Sequence, residues 1–276
     1  MLSNLLMQLG NHTNAEIEEG MVRHMVLNSL RSYRTKFGPE YGELVIACDN
    51  TNYWRKQYFP YYKANRKKAR ENSDLDWKAV FECLNKIRQE LKEFFPYKVV
   101  DVESAEADDI IGTIANNYGS ELDFGEKILI LSGDKDYIQL HKYSNVKQYD
   151  PTRKKWVTHN DPQQYLKEHI LRGDSGDGVP NVLSSDNCFV VGERQKPLTA
   201  KRLEQHLNLK PEEMDSMVSR NYYRNEKLID LNFTPKELQE KIMESYNSQT
   251  NKNRSKLMNY FIANKLKNLL EHINDF

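Results

Sequence analysis

The sequence predicts an α/β fold, a mostly parallel central sheet flanked by helices and followed by a small C-terminal helical domain. Three observations carry this. Short apolar runs at residues 44–48, 97–102 and 127–132 alternate with stretches of helical periodicity. Continuous apolar strands separated by helices belong in parallel sheets covered on both faces. After Pro180 no run of that quality follows, and helical segments succeed one another.

In chain order, residues 21–33 read as a helix, with Val22, Met25, Val26 and Leu30 on one side. The run 44–48 is a strand ending at Asp49. Before the second run, Trp77, Val80, Phe81, Leu84, Ile87, Leu91 and Phe94 recur at steps of three and four, the stripe of a long helix. Ser73 and Asp76 just ahead resemble a capping pair. Ile110, Ile111 and Ile114 mark a helix after the second run, and the third leads to Asp134. Helices are expected at 199–207, 211–218, 235–246 and 255–273. The change of pattern near 180–195 divides the chain into residues 1–185 and 186–276.

Mean hydropathy is −0.80, and no apolar run approaches the roughly 20 residues a membrane span needs. The start has neither the basic lead-in nor the apolar stretch of a signal peptide. Cys48, Cys83 and Cys188 are scattered without metal-ligand spacing, so a reduced, cytosolic protein without a zinc site is expected. Forty Lys and Arg balance forty Asp and Glu, but the charges are segregated. Residues 51–70 hold seven basic residues and no acid, whereas 101–109 hold five acids and no base. Such blocks suit a metal site beside a phosphate-binding surface; two solvated faces would look the same by charge alone.

Ligands of parallel α/β sheets bind beyond the carboxyl ends of the strands. Asp49 follows the first run, Glu106, Asp108 and Asp109 the second, Asp134 and Asp136 the third. Asp174 and Asp177 lie in the loop Gly173-Asp-Ser-Gly-Asp-Gly178. Singly, each has an ordinary explanation: a turn at Asp49-Asn50, dipole-complementing acids at 106–108, loop polarity elsewhere. Together, eight carboxylates on one rim repel by several kcal/mol even at an effective dielectric of about 20, unless cations bind. Hard divalent cations resolve this, and Mg2+ fits best, with Mn2+ as a substitute. An expected absence of His or Cys at this rim argues against zinc or copper. Two such ions can activate water on one side of a phosphodiester and stabilise the leaving oxygen on the other.

The segment 53–70 interleaves cations with rings: Tyr53, Trp54, Lys56, Tyr62, Arg66, Lys67, Lys68 and Arg70 are its candidate nucleic-acid-binding residues. Cations contact phosphates, and rings stack on unpaired bases with little sequence preference. Arg55 and Lys63 are the candidates for contact with the scissile phosphate.

The blocks Ala47-Cys-Asp-Asn50, Tyr53-Trp-Arg55, Tyr62-Lys-Ala-Asn-Arg66, Glu106-Ala-Asp-Asp109, Ser132-Gly-Asp-Lys-Asp136 and Gly173-Asp-Ser-Gly-Asp177 occur in an order that resembles the structure-specific 5′ nucleases. That family includes flap endonucleases, the 5′-nuclease domain of bacterial DNA polymerase I and, in the branch this chain resembles most, ribonucleases H of T-even bacteriophages. The resemblance implies a PIN-like core and a 5′→3′ exonuclease and flap endonuclease using two Mg2+ ions to remove RNA primers and flaps in lagging-strand synthesis. It implies that the acids matching Asp49, Glu106, Asp108, Asp109, Asp134, Asp136 and Asp177 surround the metals, with Asp174 close by. Arg55 and Lys63 would belong to a basic helical arch near 51–75, and residues 186–276 would bind duplex. Flapped or nicked DNA and RNA·DNA hybrid are the implied substrates. A single-stranded-DNA-binding protein and a sliding clamp are implied partners of a monomer in the cytoplasm of an infected bacterium.

Two departures qualify this. Val190-Val-Gly-Glu-Arg-Gln-Lys-Pro197 stands where cellular members carry a Gly-rich helical hairpin. Family members also open on a strand bearing an aspartate, whereas residues 1–6 read as the helix that follows it, so the natural frame is expected to begin upstream. A catalytically impaired nucleic-acid-binding relative lacking that aspartate is therefore the alternative. A magnesium phosphatase built on Asp134 and Asp136 would need a nucleophilic aspartate on that first strand, which is not visible in the sequence.

Overall fold

Helix α1, Glu19–Tyr41, buries Val22, Val26, Leu27, Leu30 and Phe37 along one face, and Phe37 carries the stripe beyond the expected end. Gly42, at φ 78, closes it by donating its N–H to Gly38 O at 2.8 Å. The computed structural model describes residues 19–71, 76–120, 122 and 125–276. The helix expected at residues 1–6, the upstream strand and Ser73 lie outside these. No helix among the described residues is long and apolar enough to cross a membrane.

The chain forms two compact units, each assembled from separated segments. The first comprises residues 1–48, 74–101 and 243–276. In it β1, Val45–Ala47, pairs in parallel with β2, Lys98–Val100. Helix α4, Trp77–Phe94, is capped by Asp76, whose carboxylate accepts from Ala79 N at 3.0 Å. Its buried line runs Val80, Cys83, Ile87, Leu91, so Cys83 lies on the axis of the stripe and Trp77 at its edge. These side chains meet α1 and the C-terminal helices Leu257–Ala263 and Lys267–Leu270 in one core. Phe95 is edge-on to Tyr260, Phe261 and Phe276 at 5.1–6.0 Å.

The second unit comprises residues 49–73 and 102–242. Short helices α2, Trp54–Tyr58, and α3, Ala64–Glu71, come first, then α5, Ala107–Tyr118. Strand β3, Ile128–Leu131, pairs in parallel with β4, Val146–Asp150, which pairs antiparallel with β5, Lys155–Val157. A 3-10 helix, Lys135–Lys142, links β3 to β4, and α6, Pro162–Arg172, follows β5.

The expected mixed α/β class is therefore present, with parallel pairing of all three anticipated strands but in two small sheets. No described strand follows Val157. The later helices differ in their limits. Thr199 caps Ala200–Leu207. The expected helix 211–218 is instead a 3-10 turn at Pro211–Glu213 and a longer helix, Ser216–Ile229, started by Asp215. The expected helix 255–273 breaks in two before Lys267, next to Lys265 at φ 56. Division by element type near residue 185 and division into packed units are thus different divisions of the chain.

Candidate metal centre

All eight anticipated acids belong to the second unit. Asp49 Oδ1 accepts from Ala107 N at 2.9 Å, tying the loop after β1 to the first turn of α5, where Asp108 and Asp109 lie. Asp134, the cap of the 3-10 helix after β3, accepts from Asp136 N at 3.1 Å. Asp174 Oδ1 accepts from Gly176 N and Asp177 N at 2.7 and 3.1 Å, closing the loop on itself. Gly173 opens that loop at φ 66, and a Cβ there would lie 2.4 Å from Val179 O. Hence glycine is required.

Burial pushes the Asp108 carboxyl up to about 7; the Tyr137 hydroxyl, which donates to it, works the other way, and Asp134 and Glu106 add to the rise. Asp136 is pushed well above the usual carboxylate range, by burial first and then by Asp134, Asp108, Asp174 and Asp177. Carboxyls forced toward neutrality by one another form a set of hard oxygen donors that a divalent cation would relieve, and the residues fit such an ion. A cleft is lined by Asp108, Asp136, Asp174 and Asp177, with Arg55 and Tyr62.

A histidine absent from the sequence reading stands among them. His169 Nδ1 is 3.3 Å from Asp136 Oδ1 and Nε2 is 3.9 Å from Asp174 Oδ2. Burial lowers its pKa, so the neutral ring is favoured despite the acids around it. Asp136, His169 and Asp174 each present a donor atom within 4.8 Å of the others. The premise that no histidine is near the acids therefore fails. The available signal was position: His169 lies on α6, five residues before Asp174.

Arg55 is also corrected. It is 2 % exposed, and its Nη1 donates to Glu106 Oε2 and Asp109 Oδ2, both at 2.9 Å, while Nε donates to Leu228 O at 2.8 Å. A guanidinium so engaged holds acids rather than a phosphate. Asp109, 0 % exposed, also accepts from Trp54 Nε1 at 3.1 Å, Thr234 Oγ1 at 2.8 Å and Glu106 N at 2.9 Å. With the Arg55 contact, these donors engage both oxygens of its carboxylate.

Lys63 faces the cluster instead. Its ammonium pairs with Glu106 and lies 3.5 Å from Asp177 Oδ2. Burial alone would lower its pKa, but Asp177 and Glu106 outweigh this and keep it charged. Tyr62 OH lies 2.8 Å from Asp177 Oδ2 and 3.0 Å from Glu106 Oε2. Arg66 pairs with Asp177, and Asn65 donates to Ser175 O at 2.9 Å. Trp54 and Tyr62 are core residues at 8 % and 3 % exposure rather than open stacking platforms. Tyr53 is half-buried and Lys56, Arg66 and Arg70 are exposed, while the side chains of Lys67 and Lys68 lie outside those described.

This chain belongs to the 5′-3′ exonuclease family: the N-terminal resolvase-like domain of 5′-3′ exonucleases matches residues 5–170. Within it the kinship is to phage ribonuclease H, for the C-terminal domain of T4 RNase H matches residues 162–276. The ribonuclease H of Enterobacteria phage T4 is 37 % identical over 273 residues, 95 % of this chain and 88 % of that protein. A 5′-3′ exonuclease of Buchnera aphidicola is 29 % identical over 148 residues, 50 % of this chain and 47 % of that one. The fold also matches a solved T5 5′-exonuclease with divalent zinc bound, at TM-score 0.56 and 18 % identity, over 80 % of this chain and 90 % of that one.

Proposed function

We propose that this protein is a divalent-metal-dependent 5′→3′ exonuclease and flap endonuclease that hydrolyses phosphodiesters in RNA·DNA and DNA. Its role would be removal of RNA primers in lagging-strand replication, by analogy with the T4 relative's name and family. The observation that carries the reading is the set of acids from three chain segments around one cleft, with Asp108 and Asp136 pushed toward neutrality by burial and by one another.

Asp49, Glu106, Asp108, Asp134, Asp136, Asp174 and Asp177 are the proposed ligands. Two Mg2+ ions, or Mn2+ in their place, would supply Lewis-acid activation of water and neutralise charge developing on the phosphodiester. The chain's own part is positioning. Arg55 fixes Glu106 and Asp109 at the start of α5, and Asp109 ties Trp54 and Thr234 to the same point. Lys63, a charged donor at the acids, is the side chain a phosphate oxygen would draw away from Glu106 and Asp177. Residues 1–185 would carry the chemistry, with the arch near 51–75 guiding single strand, and 186–276 would hold duplex by its backbone. A single-stranded-DNA-binding protein and a sliding clamp are the proposed partners of a monomer in the host cytoplasm.

The test is cleavage of a labelled 5′-flap and of an RNA·DNA hybrid with Mg2+, comparing the chain with Asp134→Asn. Product from the unmutated protein and its loss in the variant are expected. Equal product from both would reject the site. Flap binding without Mg2+-dependent product from either would favour a binding-only protein.

A further inference from the structure

The acids of the centre are hard oxygen donors, which do not discriminate strongly between Mg2+ and later divalent ions. His169 adds a nitrogen. Its ring is 16 % exposed, lies near the end of α6, and turns a different nitrogen to each of two carboxylates. The two distances have different chemical meanings. Nδ1 to Asp136 Oδ1 is 3.3 Å, within reach of a hydrogen bond. Nε2 to Asp174 Oδ2 is 3.9 Å, too long for one. Two ligands about 2.1 Å from a shared ion stand roughly 3–4 Å apart, a span that holds both separations; since only the shorter can also be a hydrogen bond, Nε2 and Asp174 are the pair left for a common cation. A metal-bound histidine commonly donates its other ring N–H to a carboxylate, which fixes the tautomer and the ring plane. Asp136 occupies that place.

We propose that His169 Nε2 ligates one cation of the centre together with Asp174, its ring held by Nδ1–H donation to Asp136, so that this position favours Mn2+- or Co2+-type ions over Mg2+. The inference rests on the reading of the acids as a metal centre. It assigns a different donor at one of the two positions, and nitrogen ligation strengthens binding of later first-row ions more than of Mg2+. A histidine that only orients Asp136 would give the same 3.3 Å contact without nitrogen on the ion.

Pulsed electron paramagnetic resonance of the full chain loaded with Mn2+ separates these cases, because a directly ligated imidazole modulates the echo through 14N. The native chain should show this modulation. His169→Gln should retain bound Mn2+ and lose the modulation, which assigns it to this residue among the seven histidines. By titration, the same variant should bind Co2+ at least about tenfold more weakly with little change for Mg2+. Bound Mn2+ without 14N modulation in the native chain would overturn the proposal while leaving the metal centre intact, and that measurement needs no variant to fold. Modulation that persists in a folded His169→Gln would overturn it too. No Mn2+ binding by the native chain would remove the metal centre itself.

Discussion

Removing one partner of a buried ion pair leaves an uncompensated charge, and this separates the two cations of the basic segment. Arg55 lies against Glu106 and Asp109, which are 1 % and 0 % exposed. Arg55→Ala should lower the free energy of unfolding by about 3–5 kcal/mol, read by urea titration; an unchanged midpoint would contradict the framework role given to it. Lys63→Ala, at a cation facing the cleft acids, should reduce cleavage far more than stability. A second residue-scale effect depends on pH. Gln148 Nε2 donates to Ser132 O and Asp134 O at 2.8 and 2.6 Å, so its Oε1 accepts from His141 Nε2 at 3.0 Å. Burial lowers the pKa of His141 below its ordinary 6.5. Below that pH the unfolded chain takes up a proton that the folded one refuses, so this stability is lost as pH falls. The urea midpoint should therefore drop less between about pH 7.5 and 5.5 in His141→Gln than in the native chain; equal drops would remove His141 from the account. Asp49 and the acids at 106–109 and 134–136 were legible because they follow a strand or begin a helix, and Asp174 and Asp177 because they sit in a Gly-rich loop. The contrast between Arg55 and Lys63 was not, since burial of Arg55 is decided by a carbonyl 173 residues away.

At the scale of elements, the loop after α6 depends on a backbone conformation that only glycine adopts readily. Gly173 has φ 66 and ψ −176, a region costing other residues about 1–3 kcal/mol. A Cβ would also meet the carbonyls of Val179 and Pro180 at 2.4 and 2.5 Å. Gly173→Ala should thus destabilise the protein by at least about 1–3 kcal/mol and depress cleavage, because Asp174 and Asp177 shift with the loop. Gly20→Ala in α1, where nothing lies within 4 Å, is the control and should be neutral or stabilising. Equal effects at both sites would refute the strain argument. Elements announced by periodicity, such as α1 and α4, were readable because one face of each is apolar. Strand β4 was not: Gln148 at its centre is fully buried and spends its amide on the loop carrying Asp134, so no apolar run betrays the strand. The break before Lys267 was hidden too, since apolar spacing continues through Tyr260, Phe261, Leu266 and Leu269 while the backbone turns at Lys265.

For the molecule as a whole, sequence order and packing order diverge, and the C-terminal segment is where this matters. Leu257, Phe261 and Phe276 are each 0 % exposed and Leu269 1 %, in the same core as Val22, Val26 and Leu27 of α1 and Ile87 and Leu91 of α4. Phe276 is tied down as well: Arg254 Nε donates to its carbonyl O. The first unit's core therefore joins α1 to side chains more than 200 positions away in the chain. A chain ending at Lys256 should lose amide-exchange protection throughout α1 and α4, because their apolar faces would lie open to water. The other unit's β3 and β4 serve as the reference within the same sample. Phe261→Ala is the milder form of the experiment, expected to cost about 3–5 kcal/mol as a large cavity in that core. If α1 kept its protection in the truncated chain, the tail would be an appended segment rather than part of the first unit's core. If Phe261→Ala cost less than about 1 kcal/mol, the aromatic cluster around Phe95 would not be holding that core together.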